Sequence, residues 1–159
     1  MLIHLSTNTK NYTPKKVLIL FFILFSISFS AWERIDLVDE FGDKTGQITM
    51  VNQVDFFQGI RLIKDEDIVC LDVMMGPQCS VGEIYPIKLK IDKGEVIELM
   101  AVAVTDRLLR LITDEDFMEK LKKGNNVSFV VYNTNGGSVN LKMSLMGFTN
   151  AYNKVENSN

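Results

Sequence analysis

The sequence predicts an all-β fold: an antiparallel β-sandwich or closed β-sheet of about seven to eight strands, with one short helix in its C-terminal half. Three observations carry this expectation. Short segments alternate apolar and polar residues, as in IYPIKLKI. Glycine, asparagine and aspartate punctuate them at turns, as in DKGE and NTNGG. Only one segment has clear helical spacing, whereas a βαβ fold needs helices between successive strands.

Residues 1–30 are set aside first. Lys10, Lys15 and Lys16 precede VLILFFILFSISF (Val17 to Phe29), and the small residues SFSA follow. Basic, apolar and small residues in that order form a secretory signal peptide. Cleavage is expected after Ser30, with a cut after Ala31 as second choice. An uncleaved anchor is the competing reading, but the run is shorter than the ~20 residues of a spanning helix. No cysteine stands at the boundary to carry a lipid. The division expected is 1–30 signal peptide, 31–152 single β-rich domain and 153–159 flexible C-terminal tail. The product is expected in the periplasm or secreted, without stable membrane insertion after cleavage.

Three of the 17 basic residues and none of the 20 acidic ones precede the cut, so the remainder carries a net charge of −6. Acidity with scattered lysines argues against a nucleic-acid partner, which requires a basic patch. About 129 residues remain, enough to bury a core.

The strands follow in order. AWERIDLV (Ala31 to Val38) alternates imperfectly around Trp32, Ile35 and Leu37. GQITMVNQV (Gly46 to Val54) and DFFQGIRLI (Asp55 to Ile63) come next. In DIVCLDVMM (Asp67 to Met75), Val69, Leu71 and Val73 share one face, and Cys70, Asp72 and Met74 the other. IYPIKLKI (Ile84 to Ile91) points Ile87, Leu89 and Ile91 inward. DKGE turns the chain into VIELMAVAV (Val96 to Val104), and RLLRLI (Arg107 to Ile112) follows. TDEDFMEKLKKG (Thr113 to Gly124) reads as the helix. Thr113 is its expected N-cap, acids fill its first turn, lysines fill its last, and Phe117 and Leu121 share the buried face. NVSFVVYN (Asn126 to Asn133) and GSVNLKMSLMG (Gly137 to Gly147) flank the NTNGG hairpin signal. FTNAY reads as a last turn.

Cys70 and Cys79 are the only cysteines. In an oxidising compartment, with Gly76-Pro77 as a turn between them, they are expected to form a disulfide worth about 2–3 kcal/mol. The alternative is two buried thiols. No CxxC redox motif exists.

Beyond residue 30 there is no histidine. Serine–histidine, cysteine–histidine and histidine-ligated zinc chemistry are thereby excluded from that part. No phosphate-cradling glycine loop is present, and no cofactor is expected. Asp39, Glu40 and Asp43 in VDEFGDKTG are the candidates for an ion site or a carboxylate pair. Neither EF-hand spacing nor an apolar pocket supports them. The simpler reading is a solvated connection in which Phe41 plugs a core end while Gly42 and Gly46 supply turns.

Trp32 followed by Asp39-Glu40-Phe41-Gly42-Asp43-x-Thr45-Gly46, and the ending LKMSLMGFTNAY (Leu141 to Tyr152), resemble small secreted bacterial proteins of uncharacterised function. More distantly, the order is similar to invasion-associated locus B-like periplasmic proteins. The resemblance implies a β-rich periplasmic domain, and Gly147, Phe148, Ala151 and Tyr152 match its Gly-Phe-x-x-Ala-Tyr turn; Trp32, Gly147, Phe148 and Tyr152 are expected in structural roles. It carries over no catalytic residue.

Three function classes are left. The first is a binding or accessory module whose partner is another envelope or secreted protein. The second is a structural or stress-related envelope component without a specific ligand. The third, least supported, is a carboxylate-dependent enzyme. An exposed apolar patch separates the first from the second.

Overall fold

The computed structural model describes residues 32–55, 58–75, 79–132 and 137–158. The expected signal peptide, the Gly76-Pro77 turn and residues 133–136 at the NTNGG tip lie outside them. Among the described residues nine strands form: β1 (Trp32–Val38), β2 (Lys44–Asp55), β3 (Gln58–Asp65), β4 (Ile68–Met74), β5 (Ile84–Ile91), β6 (Val96–Thr105), β7 (Leu108–Leu111), β8 (Asn126–Tyr132) and β9 (Ser138–Ser144). They hydrogen-bond in the order β1-β2-β3-β4-β7-β6-β5-β8-β9, and every pairing is antiparallel. Among the described residues, two helices near the C-terminus accompany the sheet, α1 (Glu115–Lys123) and α2 (Phe148–Glu156).

Side-chain alternation decides the two faces. In β5, Tyr85, Ile87 and Leu89 are buried while Pro86, Lys88 and Lys90 are exposed. Leu89 stands opposite Ile97 on β6 and Phe129 on β8. On the other half, Leu71 and Val73 of β4 oppose Leu62 and Ile60 of β3. These residues from both halves belong to a single core cluster. Burial of aliphatic side chains at roughly 25 cal/mol per Å² is what holds the sheet to its helices.

The α1 helix starts one residue later than Thr113 suggests. Asp114 is the N-cap: its backbone is extended, and its carboxylate accepts the Phe117 N–H at 2.8 Å. The carboxylate meets the positive end of the helix, which a threonine hydroxyl satisfies less well. Phe117, Met118 and Leu121 face the core.

Segment 153–159 is no flexible tail over most of its length. The chain continues from Phe148 through Glu156 as α2, with Phe148, Ala151 and Val155 buried. That helix rests on β2, β3 and β4. Lys64 Nζ donates to the carbonyls of Glu156 at 3.1 Å and Ser158 at 3.0 Å, placing a cation at the negative end of the helix. Among the described residues, no helix is long and apolar enough to cross a membrane.

The disulfide between Cys70 and Cys79 does not form. Cys70 sits within β4 opposite Ile63, half-buried on the face away from Leu71. Met75 N–H donates to Arg107 C=O at 2.9 Å, and Cys79 N–H donates to Asp106 C=O at 2.7 Å, so Cys79 arrives in the core beside the β6–β7 turn. The rise from Cys70 to Met74 alone is about 13 Å. A disulfide needs Cα atoms within roughly 7 Å. Burial also raises both thiol pKa values above the ordinary range, Arg110 partly offsetting this at Cys70. The protonated thiol is therefore favoured, and native alkylation near neutral pH should be slow. Under denaturing, non-reducing conditions, a thiol reagent is expected to label two cysteines per chain. Zero labelled cysteines would contradict this geometry.

Candidate functional site

The segment VDEFGDKTG assembles no site. Asp39 Oδ1 accepts the N–H groups of Phe41 at 2.9 Å and Asp43 at 3.0 Å. Its carboxylate is thus committed to shaping the β1–β2 loop, as in an Asx turn. Among the described residues, no group of three or more acidic, histidine or cysteine side chains could hold a metal, and Asp39, Glu40 and Asp43 are not gathered around a common centre. Phe41 does not plug the core: it is 82% exposed at the loop tip, because the turn directs it outward. Gly42 takes φ +87° in that turn. Gly46, also left-handed, falls inside β2 where the β1–β2 register shifts, so it serves a bulge rather than a turn.

The two ends of the sequence meet in one aromatic cluster. Trp32 Nε1 donates to the Met146 carbonyl at 3.1 Å, and the Trp32 ring meets Phe148 edge-on with centroids 5.7 Å apart. Tyr152 stacks at a tilt beyond Phe148, and Lys122 Nζ lies 3.8 Å over its ring. Gly147 has φ +80°, and a Cβ there would stand 3.3 Å from Trp32 Cδ1. This cluster ties β1, α2 and α1 together. Trp32 Nε1 is committed to a backbone carbonyl and Lys122 also pairs with Glu119, so the cluster reads as structural.

The outer face of the sheet offers a different arrangement. Antiparallel register places Arg61, Asp72, Arg110, Val102 and Ile84 in one row across β3, β4, β7, β6 and β5. Asp72 is completely buried. Its Oδ1 accepts Arg110 Nε at 2.9 Å, and its Oδ2 accepts Arg61 Nη2 at 2.6 Å and Nε at 3.1 Å. Arg110 Nη1 also pairs with Asp65. Charge-assisted bonds of this kind are the strong ones, and they offset the desolvation of the carboxylate. Bonding to Asp72 holds the Arg110 pKa above its ordinary value. The quartet is charge-balanced, two guanidiniums against two carboxylates.

Beside this neutralised centre lies an apolar strip. Pro86 faces Met100 across β5 and β6, and the Ile112 N–H donates to the Met100 carbonyl at 2.9 Å. Ile84, Met100 and Ile112 are 57%, 47% and 57% exposed, far beyond what a packed sheet face would leave. The neighbouring charges Lys88 and Glu98 pair with each other at 3.0 Å. Exposed apolar side chains around engaged arginines are the composition of an interface core, where uncompensated charge is scarce. Sequence reasoning placed Asp72 on this face without assigning it a role. The available signal was an acid set between Leu71 and Val73 in an otherwise apolar strand.

The family model of the invasion associated locus B (IalB) protein matches residues 43–156. A search of curated proteins gives no match. Among solved structures, the crystal structure of invasion associated protein b from Bartonella henselae aligns with a TM-score of 0.55 at 20% identity, covering 79% of this chain and 90% of that one. At that identity the likeness speaks for the fold. With the family match spanning well over half of its length, the chain belongs to the invasion associated locus B family.

Proposed function

We propose that this protein is an exported, non-enzymatic binding module of the bacterial envelope, periplasmic or secreted, that docks another envelope or secreted protein on the outer face of β5, β6 and β7. The observation that carries the proposal is the exposed strip of Ile84, Pro86, Met100 and Ile112, brought together by register rather than by sequence proximity. A partner matching it has an apolar contact surface, because the adjacent charges already compensate one another. The basic, apolar and small-residue order of residues 1–30 supports export. Relatives named for invasion are compatible with a role outside the cytoplasm. A purely structural envelope component would have no reason to keep such a strip in water.

The sheet is also proposed to coil, bringing its first and last strands together as in a sandwich or closed sheet. Asn52 Nδ2 on β2 donates to the Ser144 carbonyl at the end of β9 at 3.1 Å, a contact that supports this closure.

A photoreactive residue in place of Met100 is expected to yield a discrete cross-linked protein in cells. The same residue at Lys142, exposed on β9, should yield none. Equal adducts from both positions, or none from Met100, would overturn the docking face.

A further inference from the structure

A second opening lies away from that face, where α1 ends over the β5–β6 hairpin. Asp92, with φ +51°, makes the turn. Its carboxylate accepts the N–H groups of Asn125 at 3.0 Å and Asn126 at 2.9 Å. These bonds hold its pKa below the ordinary value and fasten the hairpin tip to the connection after α1. Gly124 closes the other side, since a Cβ there would stand 2.5 Å from Ile91 Cγ2. Between them is a cavity of about 440 Å³ lined by Ile91, Ile97, Glu95, Lys120 and Lys123. Ile91 and Ile97 are half-buried against the core and leave apolar surface facing the opening.

Lys120 and Lys123 are in no ion pair among the described residues, unlike Lys122, which pairs with Glu119 at 2.8 Å. Asp92 is already engaged by backbone donors, leaving two ammonium groups against the single carboxylate of Glu95. The cavity falls within the ~300–1,000 Å³ of small-molecule sites, which combine an apolar lining with a few placed charges. We propose that it binds an amphiphilic anion: a carboxylate held by Lys120 and Lys123, with an acyl chain lying on Ile91 and Ile97. This site is independent of the docking face, and the two fail separately.

The test is isothermal calorimetry of the exported protein with decanoate below its micellar concentration, with decanol and acetate as ligands lacking the charge and the chain. Decanoate should bind, and decanol and acetate should bind much more weakly. The variant Lys120→Glu/Lys123→Glu, altered only at exposed positions, should stay folded with a modestly lower melting temperature, because it reverses charge at the C-terminal end of α1, and should bind decanoate roughly tenfold or more weakly. The Ile112→Asp variant should bind decanoate as the parent does. Absence of decanoate binding, or equal binding by the double variant, would overturn the site. Association confined to phosphatidylglycerol vesicles, without uptake of free decanoate, would overturn it as well.

Discussion

Replacing Phe148 by alanine is expected to remove roughly 3–5 kcal/mol from the unfolding free energy, a large share of a typical domain's total. The ring is 1% exposed, opens α2, and packs between Trp32 and Tyr152. Truncation leaves a cavity that Trp32 cannot fill, because its Nε1 is tied to the Met146 carbonyl. The loss should also loosen β1, whose first residue is held by this contact. Hydrogen exchange should therefore rise at β1 and α2 before it rises at β5 and β8. A loss under about 1 kcal/mol in a denaturant melt, or uniform exchange, would show that the aromatic cluster does not join the chain ends.

The second large effect is expected at Asp72. Removing its carboxylate by Asp72→Ala leaves two guanidiniums on the sheet without their shared counter-charge. Breaking a buried pair in this way costs about 3–5 kcal/mol. The lower end is expected, because Arg61 and Arg110 are 24% and 23% exposed and can turn to water. The triple variant Asp72→Leu, Arg61→Met, Arg110→Met removes every charge of the row and should recover much of the loss. A triple variant as unstable as the single one would mean that the cluster contributes net stability through its geometry. Denaturant midpoints at constant slope distinguish these outcomes.

Much of the fold is legible in the sequence for a physical reason. Where a strand has one wet and one dry face, period-2 alternation must appear, and IYPIKLKI gives β5 with both boundaries. α1 is equally plain, since its acids, lysines and Phe117/Leu121 spacing all point the same way. α2 is not, because Gly147 offers no side-chain cap and threonine, asparagine and tyrosine are indifferent helix formers. Only the spacing of Phe148, Ala151 and Val155 betrays it; tertiary burial, rather than propensity, makes that segment helical.

The disulfide expectation fails on topology. Eight intervening residues and a Gly-Pro pair suggest a chain that doubles back, but Met75 and Cys79 are both bonded along the β6–β7 turn instead. The docking strip is hidden for a related reason. Ile84, Met100 and Ile112 each look like an ordinary strand residue, and only the strand order β7-β6-β5 makes them neighbours. Asp72 was visible as an acid in an apolar segment, but its partners Arg61 and Arg110 lie 11 and 38 residues away.

The docking face is tested most directly by comparing three baits against one envelope fraction: the parent protein, Met100→Asp/Ile112→Asp, and Lys120→Glu/Lys123→Glu. All three should stay folded, since every altered side chain is exposed, with the lysine variant melting modestly lower because it reverses charge at the end of α1. The expected result is a defined protein retained by the parent and by the lysine variant, and lost from the Met100→Asp/Ile112→Asp bait. Retention of the same protein by all three baits, or by none, would contradict a docking surface on β5, β6 and β7.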